Sequence, residues 1–133
     1  MRILVSVKTI HAAYLSAYHG GGGELSADRD GLGEYEMFWL TFHDPLYSIV
    51  SLQTYDQGHY VCADFNRGGL LVADRRECGP WEQFILHQAA FRSYTLQAYN
   101  GMYACAEDGD GKTVVANRVR PQQFEHFTIA AVV

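Results

Sequence analysis

With 133 residues, 48% apolar and 19% charged, the chain has the length of one domain and enough apolar content to bury a core. Its formal net charge of −5 argues against nucleic acid and anionic membranes, both of which demand a basic surface. No stretch approaches the ~18 consecutive apolar residues of a membrane helix. The odd count of three cysteines (Cys62, Cys78, Cys105), with no CxxC pair, reads neither as a disulfide framework nor as a zinc site.

Taken in chain order, the predicted elements are short strands. The opening MRILVSVKTI alternates, and Lys8 interrupts it before a signal-peptide core could form, so it reads as a strand. YLSAY follows a short turn, ELSADR follows the Gly-rich HGGGGE, and EYEMFWL closes a first unit. The second unit runs SIVSLQTY, YVCAD, FNRGGL, LLVADR and PWEQFIL. The third runs SYTLQAY, YACAE, EDGDGK, TVVANR and QFEHFTI. No window keeps a 3.6-residue period.

These units are copies of one another. Tyr35, Trp81 and Phe124 are 46 and then 43 residues apart. The same two offsets align Tyr14, Tyr60 and Tyr103, then Ala17, Ala63 and Ala106, then SADR, VADR and VANR. The repeats are placed at about residues 2–45, 46–91 and 92–133 of a single domain. Twelve short strands in three units predict an all-β chain with the β-trefoil fold: a six-stranded barrel capped at one end by three hairpins. A propeller would need roughly four or more such units. The N-terminal strand must then pair with the C-terminal one, which makes the chain look complete.

YVCADFNRGGLLVADRRECGPWEQFIL resembles a unit of the fascin-like β-trefoil family, with its Tyr-aliphatic-small-Ala turn, Val-Ala strand, Gly-Pro-Trp-Glu turn and Phe-containing closing strand. The Gln-x-Trp signature of ricin-type trefoils is absent. The resemblance implies the fold and non-enzymatic binding around a pseudo-threefold axis. It covers actin-crosslinking proteins as well as carbohydrate-binding modules.

Phe38, Phe84 and Phe127, with Leu40, Leu86 and Ile129, are expected to fill the barrel. Ala27, Ala73 and Ala116 mark close packing of barrel and cap. Glu36, Glu82 and Glu125 leave two readings open: carboxylates turned inward onto backbone N–H groups, or acceptors of sugar hydroxyls at the rim. They are not the close carboxylate pair of a glycoside hydrolase. Tyr35, Trp81 and Phe124 either staple the turn or offer a sugar-stacking face, Trp81 best and Phe124 poorest. Asp28-Arg29, Asp74-Arg75 and Asn117-Arg118 either cap turns and pair with the following glutamate or form a hydrogen-bonding edge for a polar ligand. Trp39 should face outward and breaks the symmetry, since Ile85 and Thr128 are its counterparts. Cys62 and Cys105 match Ser16 and read as small buried residues. No catalytic Ser-His-Asp or Cys-His arrangement, metal-ligand spacing or cofactor motif is legible.

The expected function is that of a non-enzymatic carbohydrate-binding module or small lectin, with up to three related rim sites and the middle one strongest. The alternative is a cytoskeletal protein that binds actin. Only two lysines, Lys8 and Lys112, are present to meet actin's acidic surface. A purely structural domain is the third reading. Free thiols point to a reducing compartment, so a cytoplasmic location is expected rather than secretion.

Overall fold

The structure, a computed structural model, describes residues 2–17, 20–44, 46–106 and 113–132. The Gly-rich turn at 107–112 and His19 therefore lie outside the described residues. Among the described residues, four strands occur in each third of the chain. The first third holds β1 (Arg2–Lys8), β2 (Tyr14–Ala17), β3 (Leu25–Arg29) and β4 (Met37–Asp44). The second holds β5 (Ile49–Thr54), β6 (Tyr60–Asp64), β7 (Leu70–Arg75) and β8 (Phe84–Ala90). The last holds β9 (Ser93–Gln97), β10 (Tyr103–Ala106), β11 (Val114–Arg118) and β12 (Phe127–Ala131).

All ladders are antiparallel and they close. β1 pairs with both β4 and β12, so the first and last strands meet as expected. The longest circuit runs through nine strands: β1, β4, β5, β6, β7, β11, β10, β9 and β12. β8 bridges β5 and β9 within it, and β2 and β3 hang from β1. A shorter ring of six strands, β1, β4, β5, β8, β9 and β12, also closes, and β2–β3, β6–β7 and β10–β11 are the three hairpins. The hairpin strands are laddered into the wall, because each short turn after the unit's first strand folds the second back onto it. The closed circuit leaves few unpaired edges.

Alternation along the strands sends one face inward. Phe38, Phe84 and Phe127 lie at equivalent points in the core, among Val7, Leu15, Leu52, Leu71 and Leu96. Leu40 and Ile129 are buried with them, and Leu86 packs against the cluster half-buried. The small residues Ala27, Ala73 and Ala116 let β3, β7 and β11 approach each other. Leu70 pairs with Val115, Glu24 bridges to Val72, and Ser26 bridges to Thr113. Gly69 is needed here: its φ is +90°, and a Cβ would stand 2.5 Å from the Ala116 carbonyl oxygen.

Candidate functional site

The register of the barrel ladders creates three related clefts. Phe38 pairs with Thr54, which puts the turn before β4 beside the turn after β5. Ile85 pairs with Gln97, which does the same for the turns before β8 and after β9. Lys8 pairs with Thr128, which joins the turn before β12 to the turn after β1. The aromatic that ends one unit therefore meets the first turn of the next. Tyr35 meets Tyr55 and Asp56, Trp81 meets Tyr99, and Phe124 meets His11.

The first cleft has a volume of about 210 Å³ and is lined by Gly20, Glu34, Tyr35, Thr54, Tyr55 and Asp56 with Ala17. Tyr35 is 47% and Tyr55 39% exposed, so both residues present surface to solvent. Gly20 leaves room for the Tyr35 ring: a Cβ there would stand 3.2 Å from it. The Asp56 carboxylate accepts from the Thr54 hydroxyl at 2.7 Å and the Gly58 N–H at 2.9 Å. Those two bonds hold its carboxyl below the ordinary value. The Trp39 indole Nε1 donates to the Tyr55 carbonyl at 3.2 Å, so the symmetry-breaking tryptophan braces this turn.

The second cleft is shallower and is lined by Pro80, Trp81, Glu82 and Tyr99. Trp81 is half-buried, with its ring edge-on to Phe65 at 5.1 Å between centroids, which is a staple as well as a surface. In the third, Phe124 lies 6.1 Å from the His11 ring, both tilted.

The three glutamates take the inward reading. Glu36, Glu82 and Glu125 are 8%, 7% and 2% exposed. Each ends a single turn of 3-10 helix, at 34–36, 80–82 and 123–125, and bonds back to the N–H three residues earlier. Glu36 accepts from Gly33 at 2.8 Å and Glu82 from Gly79 at 2.7 Å, and Glu125 accepts from Gln122. Of the two readings open for them, these bonds fit the inward one and not a rim contact for sugar hydroxyls: the turn needs the carboxylate for its own free amides.

Their second oxygens are engaged as well. Ser16 donates to Glu36 at 2.6 Å, Arg75 Nε lies 4.0 Å from Glu82, and Arg118 Nε lies 3.7 Å from Glu125. The arginine-to-glutamate pairing thus forms in the second and third units. Arg29 instead faces Asp28 at 3.7 Å, and Asp28 also accepts from Ser26. Arg75 further holds Asp74 at 2.8 Å and Asp64 at 3.3 Å, while Arg67 holds Asp64 at 3.0 Å. Asp28, Arg29, Asp74 and Arg75 line neither of the first two clefts. Asp74 and Arg75 tie β7 to the turn at 64–67, Asp28 and Arg29 hold each other at the end of β3, and Asn117 stands exposed beside Arg118.

Cys62 and Cys105 are buried. Burial, with Glu82 close by, pushes the Cys62 thiol up to about 12, the reverse of an activated nucleophile. Cys78 Sγ lies 3.9 Å from His43 Nε2, which also meets Ser51 Oγ at 2.8 Å, a grouping not legible in the sequence. Burial pushes that thiol up too. Among the described residues no group of three or more His, Cys, Asp or Glu could hold a metal ion.

No family model matches the chain, and no curated protein matches it. Solved structures do. A designed threefold-symmetric protein, ThreeFoil, superposes with a TM-score of 0.84 at 14% identity, over 97% of this chain and 99% of that one. The Polyporus squamosus lectin bound to the human-type influenza-binding epitope Neu5Aca2-6Galb1-4GlcNAc gives 0.79 at 9% identity, over 98% of this chain and 49% of the lectin. SeviL bound to asialo-GM1 saccharide gives 0.78 at 10% identity over the whole of both chains. The chain has the β-trefoil fold with a threefold internal repeat.

Proposed function

We propose that the protein is a non-catalytic saccharide-binding module, lectin-like, that uses the clefts between its units. The observation that carries this is the first cleft. Two half-exposed tyrosine rings flank a space sized for a single sugar ring, beside a carboxylate already held in place by Thr54 and Gly58. Stacking on a ring face with hydroxyls reaching a fixed acceptor is how such surfaces take sugars. Two neighbours of the same fold, the Polyporus squamosus lectin and SeviL, were solved with saccharides bound, which supports the reading.

Tyr35, Tyr55 and Asp56 carry the main site, and Trp81 with Tyr99 a second. The buried glutamates and the Asp/Asn-Arg pairs support these turns from behind. A glycan array followed by titration tests this: Tyr35→Ala should lose most binding at the first cleft with an unchanged circular dichroism spectrum. Co-sedimentation with filamentous actin, in the absence of any saccharide binding, would replace the proposal with the cytoskeletal reading.

A further inference from the structure

We infer that the Tyr35 cleft selects saccharides bearing a free, protonated amine over N-acetylated or acidic ones, an inference that rests on the saccharide reading above. The three clefts share a backbone but differ in charge. The residue preceding the cleft aromatic is Glu34 in the first, Pro80 in the second and Gln123 in the third. The second residue of the facing turn is Asp56, Asn100 and His11 respectively. Its structural task is to accept the N–H two residues on, and Asn100 does this for Met102 at 2.9 Å as well as Asp56 does it for Gly58. The negative charge on Asp56 is therefore not required by the turn.

Both bonds to Asp56 fall on Oδ1, so Oδ2 keeps its acceptor capacity. Glu34 is exposed and has no partner among the described residues. No lysine or arginine is among the described residues that line the cleft. Among the described residues, His59 acts on Asp56 and Arg2 bonds Gln57 at 3.1 Å, and neither lines the cleft. Two tyrosine faces, the Glu34 carboxylate and the remaining Asp56 oxygen are complementary to an ammonium group: the faces attract it through their quadrupoles, and the oxygens accept its N–H bonds. The same charges repel a carboxylate-bearing sugar.

The test is calorimetric titration with a glucosamine oligosaccharide, its N-acetylated counterpart, a sialylated trisaccharide and ethanolamine. The protein is used native, as the Glu34→Gln/Asp56→Asn double variant and as Tyr35→Ala. The native protein should favour the free amine over its N-acetylated form by about tenfold. The double variant should bring the two near parity while weakening both: Asn repeats the turn bond seen at Asn100 but is a poorer acceptor than the carboxylate, so the ratio of the two affinities, not either alone, is the readout. Tyr35→Ala should lose both. Equal or tighter binding of the N-acetylated or sialylated sugar by the native protein would overturn the selectivity and leave the saccharide reading standing. Ethanolamine binding that depends on Glu34 and Asp56, with no saccharide bound, would uphold the ammonium preference and remove the saccharide reading. Failure of every ligand would remove both.

Discussion

Replacing Glu82 with alanine separates a turn-bracing carboxylate from a ligand-binding one. Glu82 is 7% exposed, and its Oε1 accepts from the Gly79 N–H at 2.7 Å. That bond has an ionised acceptor and is worth about 1.5–3 kcal/mol. Its loss also leaves the Gly79 amide and the Cys62 thiol facing a small void. Arg75 loses a partner at 4.0 Å but keeps Asp64 and Asp74, so little is added there. The total comes to roughly 2–4 kcal/mol. Unfolding entropy near 2.1 cal/mol/K per residue gives a chain of this length about 0.28 kcal/mol/K. The melting temperature should therefore fall by about 10 °C for a mid-range loss of ~3 kcal/mol, read by differential scanning calorimetry. Glu82→Gln, which keeps the acceptor and loses the charge, should fall by about half as much. An unchanged melting temperature together with lost saccharide binding would refute the reasoning and return the carboxylate to the ligand.

Four further substitutions test the packing and the buried charge. Phe84→Ala, at a buried ring, should cost about 3–5 kcal/mol in urea unfolding with little change in the denaturant slope. Gly69→Ala should cost several kcal/mol, since a Cβ 2.5 Å from the Ala116 oxygen would push apart β7 and β11. Gly22→Ala, at φ +94° with open space around it, should cost only about 1–2 kcal/mol. Asp64 is a pH test. Burial pulls its carboxyl up, but the bonds from Arg67 and the Asn66 amide and the charge of Arg75 together hold it below the usual range. A depressed folded-state value means the stabilisation is complete above about pH 4 and is lost as pH falls through that lower value. Asp64→Asn should therefore be less stable than the native protein at neutral pH, and the gap should close on acidification, as followed by thermal melts from pH 7 to pH 2.

The threefold repeat was legible because buried positions tolerate little. Phe38, Phe84 and Phe127 recur since each fills the same part of one core, and Ala27, Ala73 and Ala116 recur since the strands there nearly touch. The clefts were half legible. Tyr35, Trp81 and Phe124 stood out beside the repeated glutamates, but their partners across the unit boundary did not. Tyr55 and Tyr99 are 44 residues apart, whereas Tyr60 and Tyr103 are 43 apart, because the second turn carries one extra residue, Gly58. An alignment at constant offset slides past that pair. The glutamates were harder for another reason. Strand alternation does not extend back through Glu82 to Trp81, because the chain there forms a 3-10 turn and β8 begins only at Phe84. Which way a side chain points then depends on the turn's unpaired amides, which leave no mark in the hydrophobic pattern.

Symmetry in this fold serves the core, and its departures gather at the first cleft. Trp39 replaces the Ile85 and Thr128 of the other units and sits half-buried on the barrel wall. Its Nε1 donates to the Tyr55 carbonyl, and the Arg2 guanidinium lies 4.3 Å over its ring while also bonding Gln57. Two residues of the first unit thus clamp the turn that presents Tyr55 and Asp56. A turn fixed before binding loses less entropy when a ligand seats against it, which gives affinity without a new contact. Trp39→Phe keeps an aromatic ring under Arg2 and removes the donor together with the pyrrole half of the indole. It should lower stability by about 1 kcal/mol, the net worth of one hydrogen bond. It should also weaken saccharide binding at the Tyr35 cleft by about fivefold, with the Trp81 cleft unaffected because Ile85 makes no such bond there. Chemical-shift titration resolves the two clefts in a single experiment. Equal weakening at both would mean that Trp39 acts through the fold alone, and no weakening at either would mean that the turn needs no clamp.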